Sequence, residues 1–309
     1  MTAPVSGRAW VGGAVVPIEQ ACVPVLDRGF LYADSVYDTV RTYGQRPFLL
    51  GDHLDRLRRS AEQLWIPVPW SDRELVEIVD LLLEDWPAGE ASLRLMVTRG
   101  EGGSGLAFPE PTRPRLVVLC RPATGVPVEL KEQGVALARP DGADRRDGRV
   151  PADVKSGSYL TNVLTLRQAR AQGGFEGLLR AADGTWAEGT TSNLFAVRDG
   201  GLHTPGMQGS ILPGVTRALV LALAAAAGLA VREEPLDDAA LDSADELFLT
   251  ASIKEVVPVV RLDGQPVGEG TVGPVTRRLQ SLFGDAVTQL QGDGAMRLRE
   301  RYPQAVSWA

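Results

Sequence analysis

Lysine occurs three times in the 309 residues, as Lys131, Lys155 and Lys254, although lysine and arginine together number 32. Arginine is the habitual cation here, so each retained lysine asks for a reason. Lys155 lies in the run VKSGSYLTN, Val154–Asn162. An amine that attacks a carbonyl must be neutral part of the time, and burial in a pocket lowers its pKa to allow this. A guanidinium stays protonated and cannot do that work. The plainer reading is a surface lysine left by chance, which is how Lys131 in VELKEQ reads. Thirty-three residues beyond Lys155 comes AEGTTSNLF, with Glu188 followed by Gly, Thr, Thr, Ser and Asn in a tight turn before a strand.

A lysine for an aldehyde, a carboxylate to keep a ring nitrogen protonated and donors for a phosphate are what pyridoxal phosphate requires of a protein. The sequence ILPGVTRALV opens a helix at about Val215–Thr216. Its N–H groups and the positive end of its dipole suit a phosphate. Arg56, in HLDRLRRSA, sits on a helix face beside an apolar stripe. Histidine is scarce: only His53 and His203 occur. A Ser-His-Asp triad or an HExxH zinc site therefore has little to work with. His53 reads as the first turn of a helix, and His203, in GLHTPG, as a turn residue with no visible partner. Gly100, Gly102 and Gly105 match G-x-G-x-x-G, but Pro109, Pro111 and Pro114 follow. No helix can open there to face a pyrophosphate, so a dinucleotide site is rejected.

These residues must be positioned by a mixed set of elements. Alternation predicts strands at 9–16, 35–43, 92–98 and 115–120. Helical spacing over 52–65 puts Leu54, Leu57, Ala61 and Leu64 on one stripe. Ser71 and Glu74 form a capping box that starts a second helix running to Pro87. After a Pro/Gly-punctuated stretch, helices at 159–172 and 215–228 alternate irregularly with strands in EGLLRA, NLFAVRD, ELFLTA and VVPVVRL. The irregular order predicts α+β rather than a doubly wound sheet. The division is a small domain 1–122, a linker 123–133 and a larger domain 134–309, and the loop 141–149 reads as mobile. A net charge of −7 argues against a nucleic-acid surface. No apolar run is long enough for a membrane span, and the start shows no secretory pattern. Cys22 and Cys120 suggest no disulfide framework, so a soluble cytoplasmic protein is expected.

From DRGFLYADSVYDTVR at residue 27 to VVPVVRLDG, the motifs resemble, in order, those of class IV aminotransferases, the fold-type IV pyridoxal-phosphate enzymes. The resemblance implies a two-domain fold with its active site between the domains, and a homodimer. It implies that Lys155 bonds to the cofactor aldehyde and then shuttles a proton, and that Glu188 pairs with the pyridine nitrogen. Arg56, Val215, Thr216 and Ser252 would hold the phosphate, and Leu212 would pack on the ring face.

Departures within the family direct the substrate. The R-x-H clamp of the best-known D-amino acid transaminases is replaced by Ser104 and Leu106, and the G-G-R-G of aminodeoxychorismate lyase by G-G-S-G. Arg94, in a strand resembling that of branched-chain transaminases, and the aromatic residues Tyr32, Tyr37 and Tyr159 suit a hydrophobic amino donor, or glutamate with its keto acid. Arg94 could instead pair with a strand neighbour, and Tyr37 could be core. D-amino acid or (R)-amine transamination, with Arg28 or Arg94 on a carboxylate, is the alternative, and an aminodeoxychorismate-type lyase is a third.

Overall fold

The computed structural model describes residues 7–87, 89–102, 105–108, 110–143, 150–207, 211–290 and 296–303. Ser104 and most of the 141–149 loop lie outside them. The chain forms two compact units. The first holds residues 1–124, 154–158 and 290–297, and the second holds 125–153, 159–289 and 298–309.

The first unit is an antiparallel sheet. A hairpin, β1 (Arg8–Val11) and β2 (Ala14–Pro17), occupies the stretch expected to be one strand. Gly12 and Gly13 fill the two-residue turn with φ of 63° and 89°, the left-handed backbone that such hairpins use. Then follow α1 (Arg28–Tyr32), β3 (Ser35–Tyr43), β4 (Arg46–Pro47), α2 (Leu50–Gln63), α3 (Asp72–Leu83), β5 (Ala91–Thr98) and β6 (Arg115–Pro122). The strand order is β2-β1-β6-β5-β3-β4. The capping box at Ser71 and Glu74 is present, but α3 ends at Leu83, short of Pro87. Along β3 the period of two sends Val36, Asp38 and Val40 to one face, where α2 packs with Leu54, Leu57 and Ala61 buried. Tyr37, Thr39 and Arg41 project to the other.

The second unit is also mixed. Its elements are α4 (Val128–Gln133), β7 (Val135–Ala138), α5 (Leu160–Ala171), β8 (Glu176–Arg180), β9 (Trp186–Gly189), β10 (Asn193–Arg198), β11 (Gly201–Thr204), α6 (Val215–Ala226), β12 (Val231–Glu233), α7 (Asp238–Asp242), β13 (Glu246–Ala251), β14 (Glu255–Leu262), β15 (Gln265–Pro266) and α8 (Pro274–Leu290). The sheet runs β12-β11-β10-β13-β14-β7-β8-β9, and β9 returns to pair with β10 through Glu188 and Asn193. That one pairing closes six strands into a ring. Leu137, Leu178, Trp186, Leu194, Leu249 and Val257 belong to one buried cluster supplied by all six. Parallel pairs (β7 with β8 and with β14) sit among antiparallel ones, as the α+β reading expects.

Two expectations are corrected here. Lys131 is no stray surface cation: it lies on α4, an unpredicted helix, and ion-pairs with Glu255. His203 lies in β11, not in a turn, and its Nδ1 is 2.7 Å from Glu234 Oε1.

Candidate active site

In the first unit, the Val154–Ser158 segment lies alongside the start of β3. Tyr37 N–H donates to the Lys155 carbonyl at 2.9 Å, and Gly157 N–H donates to the Ser35 carbonyl at 2.8 Å. Lys155 N–H donates to Ser60 Oγ of α2 at 3.1 Å. A Cβ on Gly157 would come within 2.2 Å of Ser35 Oγ, so this close approach needs glycine. Backbone bonds thus deliver the half-buried Lys155 side chain to Tyr37, with Nζ 4.9 Å from the ring centroid. Arg94 stands opposite Thr39 on β5, diagonal to Tyr37 on the same sheet face. Its guanidinium stacks 3.7 Å from the same centroid, and its Nε is buried with no hydrogen-bond partner. Arg94 thus meets its strand neighbour Tyr37 through the ring face. Tyr37 carries two cations on its ring.

The opposite face of β3 holds a buried charged set that the sequence reading did not assemble. Arg56 donates to both oxygens of Asp38, from Nε at 2.8 Å and from a terminal nitrogen at 2.7 Å. His53 Nδ1 lies 2.7 Å from Asp38 Oδ1. All three residues are at most 3% exposed. Burial would raise the Asp38 carboxyl, but Arg56 and His53 hold it far below the usual carboxylate range. For His53, burial lowers the pKa, Asp38 opposes this, and Arg56 and Lys155 add to the lowering. The ring is neutral in the fold and donates from Nδ1.

This has a sign that can be measured. The His53 of the unfolded chain takes a proton near its ordinary 6.5, and the folded one resists it. Below that pH the unfolded state binds more protons, so stability present above 6.5 is lost as the pH falls, by up to about 1.4 kcal/mol per pH unit. The contribution of Asp38 is lost only at lower pH, from its ordinary 3.8 downward. Urea midpoints measured between about pH 8 and pH 5 should fall for the wild type and fall less for His53→Gln. Equal slopes would exclude the assignment.

Tyr32 ends α1, is 41% exposed and stacks on Arg28 at 4.9 Å. Arg28 itself donates to Asp34 and to the carbonyls of Gly105, Leu106 and Ala107. Its donors are engaged in holding that loop, which removes it as a ready carboxylate clamp.

In the second unit, Glu188 sits where the ring of strands closes. Its Oε2 accepts from the Leu212 N–H at 2.9 Å and from Asn193 Nδ2 at 3.3 Å. Asn193 Nδ2 also donates to the Leu212 carbonyl at 2.9 Å. Leu212 is thus held by both its amide and its carbonyl against the carboxylate. Gly214 follows, and a Cβ there would reach within 1.9 Å of Asn193 Oδ1. Gly214 is the N-cap of α6, and no side chain caps the helix. Val215 and Thr216, both buried, form its first turn. Ser252 lies in the turn between β13 and β14, and Tyr159 is the N-cap of α5.

Pyridoxal phosphate needs an amine, a carboxylate and phosphate donors, and the residues present fit it. The uncapped start of α6 offers N–H groups. Ser192 Oγ and Thr250 Oγ1 are buried without a hydrogen-bond partner, beside Asn193 in sequence and in strand register respectively. Buried polar atoms left this way are the exception in folded proteins. Among the described residues no cluster of His, Cys, Asp and Glu could hold a metal ion. No helix among them is long and apolar enough to cross a membrane.

Asp38, Asn193, Glu176 and Lys254 are residues beside the candidate site to which sequence reasoning assigned no specific role. Asp38 had a signal, a carboxylate at an inward position of a β-strand. Asn193 and Lys254 had only their place in the EGTTSN and KEVVPV motifs, and Glu176 its place at the start of EGLLRA.

Comparison with known proteins follows the same lines. A family model described as amino-transferase class IV matches residues 35–262. A putative branched-chain-amino-acid aminotransferase of Methanocaldococcus jannaschii is 37% identical over 287 residues, covering 91% of this chain and 97% of that protein. A D-alanine aminotransferase of Staphylococcus aureus is 30% identical, covering 89% and 96%. Among solved structures, the branched-chain amino acid aminotransferase of Escherichia coli superposes with a TM-score of 0.87 at 32% identity, over 93% of this chain and 97% of that one.

Proposed function

The chain belongs to the amino-transferase class IV family, and from that premise we propose that it transfers amino groups with pyridoxal 5'-phosphate, from branched-chain or other hydrophobic L-amino acids or from glutamate, to a 2-keto acid. The observation that carries this reading is the grouping of Lys155 Nζ and the Arg94 guanidinium on the ring of Tyr37. It gives a base beside an aromatic wall and a cation for a carboxylate. The cofactor, when bound, supplies the aldehyde that takes up the amino group and a ring that accepts the electron pair left at Cα. Lys155 would hold the cofactor at its aldehyde carbon and serve as the base that moves the proton of the donor's Cα. Glu188 would keep a proton at the ring nitrogen, and Leu212, fixed by Glu188 and Asn193, would pack on the ring. Arg56, Ser252, Thr216 and the Val215 N–H would hold the phosphate. Tyr32, Tyr37 and Tyr159 wall the side chain of the donor, and Arg94 serves the second carboxylate of glutamate.

The reading includes a homodimer in the cytoplasm. Val25, Leu26 and Phe30, 71%, 62% and 73% exposed, support a covered apolar face. Two free cysteines suit a reducing compartment. D-amino acid transamination is the second reading, favoured by the 30% identity to a D-alanine aminotransferase. The engagement of Arg28 by loop carbonyls counts against it. Titration of the purified holoenzyme's visible absorption with L-leucine and with D-alanine separates them. The band is expected to bleach with L-leucine alone. Bleaching with D-alanine alone would establish the second reading, and a wild type that takes up no cofactor would sink both.

A further inference from the structure

Two turns of the second unit hold or adjoin residues assigned to different ends of the cofactor. One is 190–192, between β9 with Glu188 and β10 with Asn193. The other is 252–254, which holds Ser252. Lys254 ties them together. Its Nζ donates to Glu176 Oε2 and to Thr191 Oγ1, each at 2.6 Å. Glu176 opens β8 with 0% exposure, and its second oxygen accepts from the Thr190 hydroxyl at 3.0 Å, the Thr191 hydroxyl at 3.1 Å and the Thr191 N–H. The Phe175 ring lies 5.2 Å from Nζ. Burial would raise the Glu176 carboxyl, but Lys254 and the threonine donors hold it below the ordinary range, so the carboxylate is ionised.

The backbone is shaped to allow this. Glu255, the next residue, has φ of 64°, a conformation that a side chain with a Cβ rarely adopts. Its carboxylate pairs with Lys131 on α4. Neighbouring residues of opposite charge are thus anchored to different elements, which is how a strained turn is kept in place.

We propose that Lys254 is a positioning residue that sets the spacing between the Glu188 carboxylate and the phosphate-side Ser252, by clamping their two turns through Glu176 and Thr191. This rests on the cofactor reading above. In this role Lys254 acts through Glu176 and Thr191 rather than on substrate or cofactor itself. It accounts for a second lysine in an arginine-rich chain: a compact ammonium on a flexible stem can donate to a carboxylate and a hydroxyl at once within a tight turn.

The test is the affinity of the cofactor-stripped full chain for pyridoxal phosphate, read from visible absorption, with melting temperature recorded with and without cofactor. Lys254→Met should bind about 10-fold more weakly or worse, the scale of one lost charge-assisted hydrogen bond, with a displaced absorption band. It also strands the buried Glu176 carboxylate and is expected to melt lower. The double variant Glu176→Gln with Lys254→Met removes that charge. It should recover cofactor-free melting while keeping the weak binding and a reduced melting increment on cofactor addition. Lys254→Arg should restore part of the affinity. Wild-type affinity in the double variant, or in a Lys254→Met that merely melts lower, would overturn the proposal and leave the pair purely structural. Failure of the wild type itself to bind would overturn the cofactor reading, and this one with it.

Discussion

Lys155→Ala is expected to lower the transamination rate by roughly 10,000-fold, the upper range for loss of a positioned acid–base group, and to remove the cofactor absorption band. Folding should survive. The bonds that fix this segment run through the Lys155 backbone, to Ser60 Oγ and from the Tyr37 N–H, and alanine keeps both. One contribution of the side chain to the fold is its approach to the Tyr37 ring, worth about 0.5–1 kcal/mol for a cation over an aromatic face. Turnover and thermal melts of wild type and variant decide the matter together. An inactive variant that no longer folds would mean that Lys155 is structural. A folded variant with substantial turnover would remove it from the chemistry.

Asp38→Asn should be the most damaging single substitution for stability, by about 3–5 kcal/mol. The change leaves the Arg56 guanidinium, 3% exposed, without the carboxylate that receives it at two points. Set against a total of roughly 5–15 kcal/mol for a typical domain, that is a large share. Asp38→Glu keeps the charge but adds a methylene at a site 1% exposed, which costs about 1–3 kcal/mol through overpacking. Urea unfolding at neutral pH should therefore rank wild type above Asp38→Glu above Asp38→Asn. If the asparagine variant is as stable as the glutamate one, the charge at Asp38 is not what holds Arg56. The short aspartate side chain meets Arg56 and His53 of α2 and its neighbour's N–H at 2.7–2.8 Å.

Where the hydrophobic period was long, the sequence located elements closely. β3 spans Ser35–Tyr43 as the alternation predicted, and the capping box at Ser71 placed the start of α3. Short elements escaped because they carry little pattern. Four-residue β9 is buried at every position and so shows no alternation. The hairpin of β1 and β2 was merged because Gly12 and Gly13 interrupt it for only two residues. The motifs named the chemical groups, but not how they are supported. Nothing in the linear order tells that Glu176 and Lys254 meet at 2.6 Å, or that Tyr37 receives both Arg94 and Lys155. Those meetings depend on strand register, set by whole faces and not by single residues.

The ring of strands in the second unit also dictates an order of events during synthesis. β7 needs β14 as its parallel neighbour, pairing Val135 with Val259. Until the ribosome has released that distant strand, one edge of β7 has nothing to bond to. Contacts so remote in sequence are entropically costly and slow to form. The turn bearing Ser252 and Lys254 immediately precedes β14. On the proposed assignment of Ser252 to the phosphate, that contact forms only once β14 has been made, and cofactor capture would report that the β13–β14 hairpin has joined.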